Sequence, residues 1–334
     1  MHPKEALEEY IESKKYSSEA EATIQNYSYR LKRFVEFCER AGIEEISDVT
    51  GRTAEKFRQA RLKNPDVNPY TAEQQMRTFR QFLRWCESNG FVEAGTAEKV
   101  IIPNSDAPDR VRNEAISAER ANEIVDWLNK YEYATRKHIV FHTLWETSMR
   151  IGSLRALDVY DFRDREEEGS PVLGVRHRPE AGTPLKQKEE GQRNITVTDD
   201  RLVEAIHDWV EKRHPKVEDE HGRMPLIGTS HGRAHLNTIR SDIYRVVQPC
   251  RYRGSCPHNK IISECEYREN DSLSGCPSSI YPHAIRSGAI TAHLNEDIPK
   301  EIVSERANTS EGVLEQHYDE RTLEEKRKRR ERYL

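Results

Sequence analysis

A histidine and an arginine three residues apart, His283 and Arg286, are the first pair whose chemistry suggests a site. They stand in the stretch YPHAIRSGAITAHL, which runs into a helical pattern, and positions i and i+3 of a helix share one face. The arginine offers a planar fork of donors that matches phosphate oxygens, and the histidine adds a donor or proton carrier near neutral pH. The pair predicts an anion-binding site, although such a pair taken alone is more often structural.

A second arginine, Arg150, lies in the stretch ETSMRIGSLRALDVYDF, at a predicted junction between a turn and a helix. Its neighbours Ser148 and Gly152 are small, and apolar residues further along anchor the segment. A ligand could therefore approach the guanidinium closely. The alternative interpretation is an ordinary salt-bridged arginine.

Two lysines and a tyrosine complete the candidate groups. Lys186 and Lys188 lie in TPLKQKEEGQRNITV, where Gly191 separates two extended runs, which predicts a β-hairpin with both lysines on its first arm. A lysine there could reach a cleft as a mobile cation or proton donor, or could simply aid solubility. Tyr318 follows an amphipathic stretch near the C-terminus, where a tyrosine is either a nucleophile or a packing residue.

The elements that must position these groups are mainly helical. Before residue 102, apolar spacing predicts amphipathic helices over 17–41, capped by Ser18, and over 70–90, capped by Thr71. Three arginines follow helical spacing on the second helix and suit a phosphate backbone, with a solvated face as the alternative: Arg77, Arg80 and Arg84.

The stretch IPNSDAPDRVRN, residues 102–113, holds two prolines and no apolar period, so it predicts a linker between domains at residues 1–101 and 114–334. The second domain combines helical patterns with two short β-like runs, PVLGVR and RNITVT. The predicted fold class is therefore mainly α with a small β element.

Taken in this order, these pieces resemble the tyrosine recombinase family, the phage integrases and Xer-type recombinases. The resemblance covers nearly the whole chain and is strongest over Thr147–Leu157 and Pro282–Tyr318. It implies a helical, SAM-like core-binding domain followed by an α+β catalytic domain. It assigns catalytic positions as follows: Arg150, Lys186 with Lys188 as the alternative, His283, Arg286, Asn308 and the nucleophile Tyr318.

Two positions depart from the family pattern. The acidic residue usual three positions after the first arginine is Ser153 here. The family's Leu-Gly-His segment reads Arg306-Ala307-Asn308, with one extra residue before Tyr318. Asn308 therefore stands where a histidine or tryptophan is expected, and its amide can donate to a phosphate oxygen but cannot transfer a proton.

The resemblance implies a site-specific recombinase or integrase that cleaves and rejoins DNA through a 3′-phosphotyrosine link. It also implies that catalysis needs no cofactor and that a homotetramer acts on paired sites of double-stranded DNA. One alternative is a DNA-binding accessory protein of the same fold with weak or no activity. Another is a DNA-relaxing topoisomerase that uses the same nucleophile.

A cysteine-rich insertion spans residues 250–276, a polar stretch with few aliphatic residues. Its cysteines predict a structural zinc site that would brace the segment delivering His283 and Arg286, with free thiols as the alternative and His258 as a substitute ligand. The predicted ligands are Cys250, Cys256, Cys265 and Cys276.

The composition is that of a globular protein of the cytoplasm. Charged residues make up 33% of the 334 residues, no apolar run reaches the length of a bilayer span, and the start lacks an apolar signal core. The net charge of -5 hides a basic block, KRKRRER, near the C-terminus. An acidic balance with a basic tail also suits a salt-rich cytoplasm and a haloarchaeal origin.

Overall fold

The computed structural model describes residues 1–17, 19, 21–105, 115–164, 169–269 and 271–317. The chain divides into two compact units, Met1–Arg112 and Asn113–Leu334. The predicted linker begins too early, because Ile102 packs against the core of the first unit and the backbone N–H of Ser105 donates to Glu73 at 3.2 Å. The rest of that linker, residues 106–113, lies outside the described residues.

The described part of the first unit consists of helices and turns. The helices are α1 (Pro3–Lys15), α2 (Glu21–Ala41), α3 (Gly51–Leu62) and α4 (Pro69–Ser88), with 3₁₀ turns at Ile46–Asp48 and Ala97–Lys99. Buried aromatic rings join them, and the ring centroids of Phe34 and Phe79 are 4.4 Å apart. Burying one such side chain contributes about 1.5–3 kcal/mol, so aromatic packing holds the helices together.

Helix α4 begins earlier than its sequence predicts. The side chain of Asn68 accepts the backbone N–H of Thr71 at 2.7 Å, and Pro69 occupies the first turn. A proline is tolerated there because the missing N–H would have no partner within the helix. The predicted cap at Thr71 is therefore wrong, and the predicted cap at Ser18 lies outside the described residues.

The second unit combines helices with a small antiparallel sheet, as predicted. Its helices are α5 (Ala118–Tyr131), α6 (Arg136–Thr147), α7 (Ile151–Ala156), α8 (Asp200–Asp208), α9 (Leu236–Val246), α10 (Pro249–Tyr252), α11 (Pro282–Asn295), α12 (Lys300–Ala307) and α13 (Glu311–His317). A π-helical turn, Trp209–Arg213, follows α8. Short 3₁₀ turns occupy Val159–Asp161, Pro179–Ala181, Lys188–Gly191, Ile262–Glu264, Glu266–Arg268 and Leu273–Gly275.

The sheet has the strand order β1 (Phe162–Arg163), β2 (Val172–Val175) and β3 (Arg193–Thr196). Leu173 lies opposite both Phe162 and Ile195, which fixes the register. A separate two-stranded ribbon consists of β4 (Gly228–Thr229) and β5 (Gly232–Arg233). Among the described residues, no helix has both the length and the apolar content needed to cross a bilayer.

The connection between β2 and β3, residues 176–192, carries the two candidate lysines. Lys186 and Lys188 lie in this loop and not on a hairpin arm, so that part of the prediction is wrong. The chain leaves the sheet after Val175, folds back through a bridge between Arg178 and Thr183, and forms a 3₁₀ turn that begins at Lys188.

Helix α6 lies at the centre of the second unit, with most of its residues buried, and packs against α9 and α11. Helix α11 passes very close to the chain at Ile116. A Cβ atom at Gly288 would lie 2.2 Å from the Ile116 carbonyl oxygen, so only glycine permits this approach. The Ile116 N–H also donates to the Ala284 carbonyl at 3.1 Å, which fixes the first turn of α11.

Candidate active site

The C-terminal end of α12 gathers three arginines. The last turn of a helix leaves carbonyl oxygens without helical partners, at the negative end of the helix dipole. Three successive carbonyls each accept one guanidinium: Arg306 from Arg193 Nε at 2.9 Å, Ala307 from Arg286 Nη1 at 2.6 Å and Asn308 from Arg150 Nη1 at 2.9 Å. The arginines come from β3, from α11 and from the start of α7, so this helix end joins three elements.

Arg286 is the most enclosed of the three, with 2% of its surface exposed. Its Nη1 also donates to the carbonyl of Ser148 at 2.7 Å. Ser148 ends α6 in the left-handed conformation, with φ of 53°. The guanidinium is therefore held between the end of α6 and the end of α12.

Arg150 lies where its sequence predicts, immediately before the first residue of α7. Besides the carbonyl of Asn308, its Nη1 contacts the side-chain oxygen of Gln187 at 3.2 Å. Gln187 follows Lys186 in the β2–β3 loop, so Arg150 contacts the loop that carries the candidate acid. Ser153, in place of the usual acidic residue, is buried, and its N–H donates to the Arg150 carbonyl at 2.8 Å.

His283 lies in the first turn of α11, one helical turn before Arg286. Although part of His283 faces solvent, the protein packed around its ring lowers its pKa, and the positive charges of Arg286, Arg150 and Lys186 lower it further. The imidazole is therefore neutral near pH 7. Because Arg286, Arg150 and Lys186 lie near enough to act on the imidazole, these three side chains and His283 form one cluster.

The β2–β3 loop brings Lys186 into this cluster, with its side chain exposed. Lys188 is also exposed and begins the 3₁₀ turn with φ of 49°. The placement favours Lys186 of the two predicted alternatives. Tyr318, the predicted nucleophile, lies outside the described residues, which end at His317 in α13.

Asn308 follows α12 in the left-handed conformation, with φ of 50°. Its side-chain amide donates to the carbonyl of Glu190 in the β2–β3 loop at 3.0 Å. This bond ties the loop to the helix end. An amide NH2 has two hydrogens, so the predicted ability of Asn308 to donate to a phosphate oxygen stays a prediction.

Sequence reasoning missed Arg193, the first residue of β3. Its Nη1 donates to the carbonyl of Gly191 at 2.9 Å, and its Nη2 is buried with no hydrogen-bond partner in the described part of the chain. Burial, followed by the charge of Arg150, lowers the pKa of Arg193 to about 10, so it remains charged at neutral pH. The two-residue period of a strand puts Arg193 on the same face as the buried Ile195 and Val197, and this signal was available in the sequence.

No protein-family model and no curated protein matches the chain. Among solved structures, it resembles the Tn1549 transposon integrase in complex with transposon right end DNA, at 13% identity over 99% of each chain and a TM-score of 0.66. The XerH site-specific recombinase bound to its difH substrate is 13% identical over 96% of this chain and 82% of that chain, with a TM-score of 0.63. A lambda integrase dimer bound to a COC′ core site is 14% identical over 97% of each chain, with a TM-score of 0.61. The chain has the tyrosine recombinase fold.

The helical unit of this recombinase fold carries the three arginines predicted to contact DNA, and each has a partner within the unit. Arg77 pairs with Glu73 at 2.7 Å, Arg84 pairs with Glu98 at 2.8 Å, and Arg80 donates to the carbonyl of Val100. Arg77 and Arg84 nevertheless keep more than half of their side-chain surface exposed, at 56% and 58%. The three arginines therefore form a ridge whose members pair within the unit, and two of them remain exposed to solvent.

A second basic surface on the same unit is a cleft of about 720 Å³ between α2 and α3. Three arginines line it, Arg33, Arg40 and Arg61, and so do two carboxylates, Glu36, which pairs with Arg33 at 3.1 Å, and Asp66. Burial, followed by the charges of Arg33 and Arg40, lowers the pKa of Arg61. The sequence did not single out this cleft, because its arginines come from two helices.

The cysteine-rich insertion does not support the zinc prediction. Its cysteines are half-buried and form no disulfide in the described residues. Burial raises the pKa of Cys250, and the neighbouring Cys276 and Cys256 raise it further. Across the described ranges, no three His, Cys, Asp or Glu side chains are placed to hold a metal ion. The proposed substitute ligand, His258, instead contacts the hydroxyl of Ser278 at 2.7 Å.

Arg120 of α5 provides the brace that the sequence assigned to zinc. Its Nη2 donates to the carbonyl of Val247 at 2.6 Å, just before the insertion, and to that of Ser278 at 2.8 Å, just after it. Its Nε also donates to the hydroxyl of Tyr252 at 3.2 Å. One guanidinium therefore joins both ends of the insertion, close to the start of α11.

Proposed function

We propose that the chain is a site-specific DNA recombinase or integrase that cleaves and rejoins strands through a 3′-phosphotyrosine link at Tyr318. The observation that carries this proposal is the gathering of Arg150, Lys186, His283 and Arg286 beside the end of α12. Such a cluster, mainly cationic, matches the charge of a DNA phosphate. The solved DNA complexes of proteins with this fold give independent support.

The two arginines act on the scissile phosphate. Arg286 is fixed by two backbone carbonyls, and Arg150 is held by one carbonyl and by Gln187, so both are oriented before DNA arrives. Their charges offset the negative charge that develops on the non-bridging oxygens in the transition state. One preorganised donor of this kind lowers the barrier by about 3–4 kcal/mol in comparable oxyanion sites.

His283 and Lys186 carry out the proton transfers. The hydroxyl oxygen of Tyr318 attacks phosphorus while the bond from phosphorus to the 5′ oxygen breaks, and neutral His283 accepts the tyrosine proton. Lys186 donates a proton to the departing 5′ oxygen. Rejoining is the reverse attack by a 5′ hydroxyl, and the covalent link conserves the phosphodiester energy.

The full reaction requires exchange between two duplexes. We place four protomers on two sites of double-stranded DNA, and the solved lambda integrase tetramer bound to a Holliday junction supports this stoichiometry. The cleft with Arg33, Arg40 and Arg61, together with the exposed Arg77 and Arg84, provides phosphate contacts on the helical unit.

The experiment is a selection for covalent capture. The protein is mixed with a randomised library of nicked duplexes, in which the cleaved fragment diffuses away and traps the intermediate. Complexes that survive denaturation are isolated, and their DNA is sequenced. A shared cleavage site supports the recombinase, whereas a library that yields no denaturation-resistant DNA contradicts it.

One observation favours a second function, an accessory DNA-binding protein without strand cleavage. Asn308 stands where the family has a histidine or tryptophan, and its amide cannot transfer a proton. The same library distinguishes the two functions. An accessory protein would enrich a DNA sequence under native conditions and release all of it on denaturation.

A further inference from the structure

Two hydrogen bonds join the β2–β3 loop and the adjoining first residue of β3 to the end of α12. The Asn308 amide donates to the Glu190 carbonyl at 3.0 Å, and Arg193 Nε donates to the Arg306 carbonyl at 2.9 Å. Arg193 Nη1 donates in addition to the Gly191 carbonyl at 2.9 Å. One planar guanidinium therefore bridges a carbonyl of the loop and a carbonyl of the helix.

The bridged parts carry different portions of the candidate machinery. The loop carries Lys186, while the helix end holds Arg150 and Arg286 through the next two carbonyls. The distance between the acid and the arginine pair thus depends on how the loop is seated against α12. A displacement of 1 Å in such a group can cost about 100-fold in rate.

We propose that Arg193 is a positioning residue for Lys186, which rests on the proposed strand cleavage. The buried Nη2 lacks a hydrogen-bond partner in the described ranges, an arrangement unfavourable for stability and common where function requires it. Both bonds come from one rigid fork, which an ammonium group cannot reproduce. Arg193 therefore acts by geometry, and its charge alone is not sufficient.

The test uses the cleavage site found by covalent capture and two versions of the DNA. One version has the ordinary 5′ oxygen at the scissile bond, and the other has sulfur in that bridging position. Because thiols are far more acidic than alcohols, a thiolate departs without a proton from Lys186. The sulfur substrate should therefore restore cleavage to any variant whose defect is the placement of the acid.

Arg193→Gln and Arg193→Lys should each cleave the oxygen substrate about 100-fold more slowly than the unmodified protein. On the sulfur substrate both should come within about threefold of it, as Lys186→Ala should. The matched control is Arg176→Gln. Arg176 donates to the carbonyls of Val175 and Arg193 and to Asn194, within the sheet, and should leave both rates unchanged.

Unchanged cleavage of the oxygen substrate by Arg193→Gln would overturn the proposal, as would full rescue by Arg193→Lys. An equal loss on both substrates in variants with native melting temperatures would also overturn it, since Arg193 would then act on something other than the acid. If Arg193→Gln does not fold, Arg193→Lys carries the test. Failure of the unmodified protein on both substrates would instead refute strand cleavage itself, and the role of Arg193 with it.

Discussion

The guanidinium of Arg286 donates to the carbonyl of Ala307 at 2.6 Å, across 21 residues of sequence. This bond joins α11, which carries His283, to the end of α12, whose neighbouring carbonyls hold Arg150 and Arg193. A single helix end therefore organises the candidate phosphate-binding groups. Backbone carbonyls therefore orient the guanidiniums of the candidate anion site.

Arg286 and Arg150 should differ in their effect on stability. Arg286→Gln removes a buried charge from two backbone carbonyls and should lower the free energy of unfolding by about 2–4 kcal/mol. Arg150→Gln, at a more open position, should change it by about 1 kcal/mol or less. Both should slow cleavage by about 100-fold or more. Urea denaturation and the rate of adduct formation measure the two effects, and equal destabilisation by both variants would contradict this assignment.

Substitutions of Lys186 and Lys188 should have different effects on the rate of cleavage. Lys186→Met should slow cleavage by about 100-fold, the usual contribution of a positioned acid, while Lys188→Met should leave it nearly unchanged. Both side chains are exposed, so neither change should alter the melting temperature. The opposite ranking would transfer the acid role to Lys188.

Arg120 should keep the cysteine-rich insertion folded against the second unit. Arg120→Ala removes bonds to the carbonyls on both sides of it and should increase trypsin cleavage at Lys260 and Arg268 at least about 10-fold, the effect of losing about 1.4 kcal/mol. The control is Arg253→Ala, which removes an exposed pair with Glu123 at 2.6 Å. Cleavage equally slow in both variants would show that Arg120 does not brace the insertion.

His138 should make stability depend on pH. Its Nδ1 accepts the Ala134 N–H at 3.2 Å, and its Nε2 lies 3.3 Å from His142, whose other nitrogen lies 3.1 Å from Asp199. Burial lowers the pKa of His138 to about 3. As the pH falls through 6.5, His138 therefore becomes protonated in the unfolded chain but stays neutral in the native protein. Above pH 6.5 His138 does not change the free energy of unfolding, and below pH 6.5 this free energy decreases as the pH falls.

Between pH 7.5 and pH 5.5 this linkage should lower the free energy of unfolding by about 1 kcal/mol. His138→Gln should remove that difference, whatever its effect at pH 7.5. His207→Gln is the control, since His207 is 46% exposed beside Asp164. Urea denaturation at the two pH values makes the comparison, and a pH dependence in His138→Gln equal to that of the unmodified protein would rule out His138 as the source.

The parts of the fold with local signals could be predicted from the sequence. Apolar periodicity located α2 and α4, and the sequence placed Arg150 at the junction between a turn and a helix, where α7 begins. The start of α4 was misplaced because Asn68 and Thr71 both suit a cap, and only the structure shows that Asn68 accepts the N–H.

The geometry of the candidate site could not be predicted, because it depends on contacts between residues far apart in the sequence. The carbonyls at the end of α12 are backbone groups, so their bonds to three arginines leave no trace in residue types. The lysines were assigned to a strand because the run before Gly191 is extended in pattern, whereas the chain folds back between Arg178 and Thr183. The hydrogen bond from the Asn308 amide to the Glu190 carbonyl likewise joins residues 118 positions apart and has no local signal.

The covalent bond between Tyr318 and DNA is the step that defines the proposed recombinase. The most direct measurement incubates labelled nicked duplexes with the unmodified protein and with Tyr318→Phe, and then resolves both on a denaturing gel. We expect a labelled adduct with the unmodified protein, none with Tyr318→Phe, and native DNA binding by both. An adduct that persists in Tyr318→Phe, or DNA binding with no adduct from the unmodified protein, would contradict it.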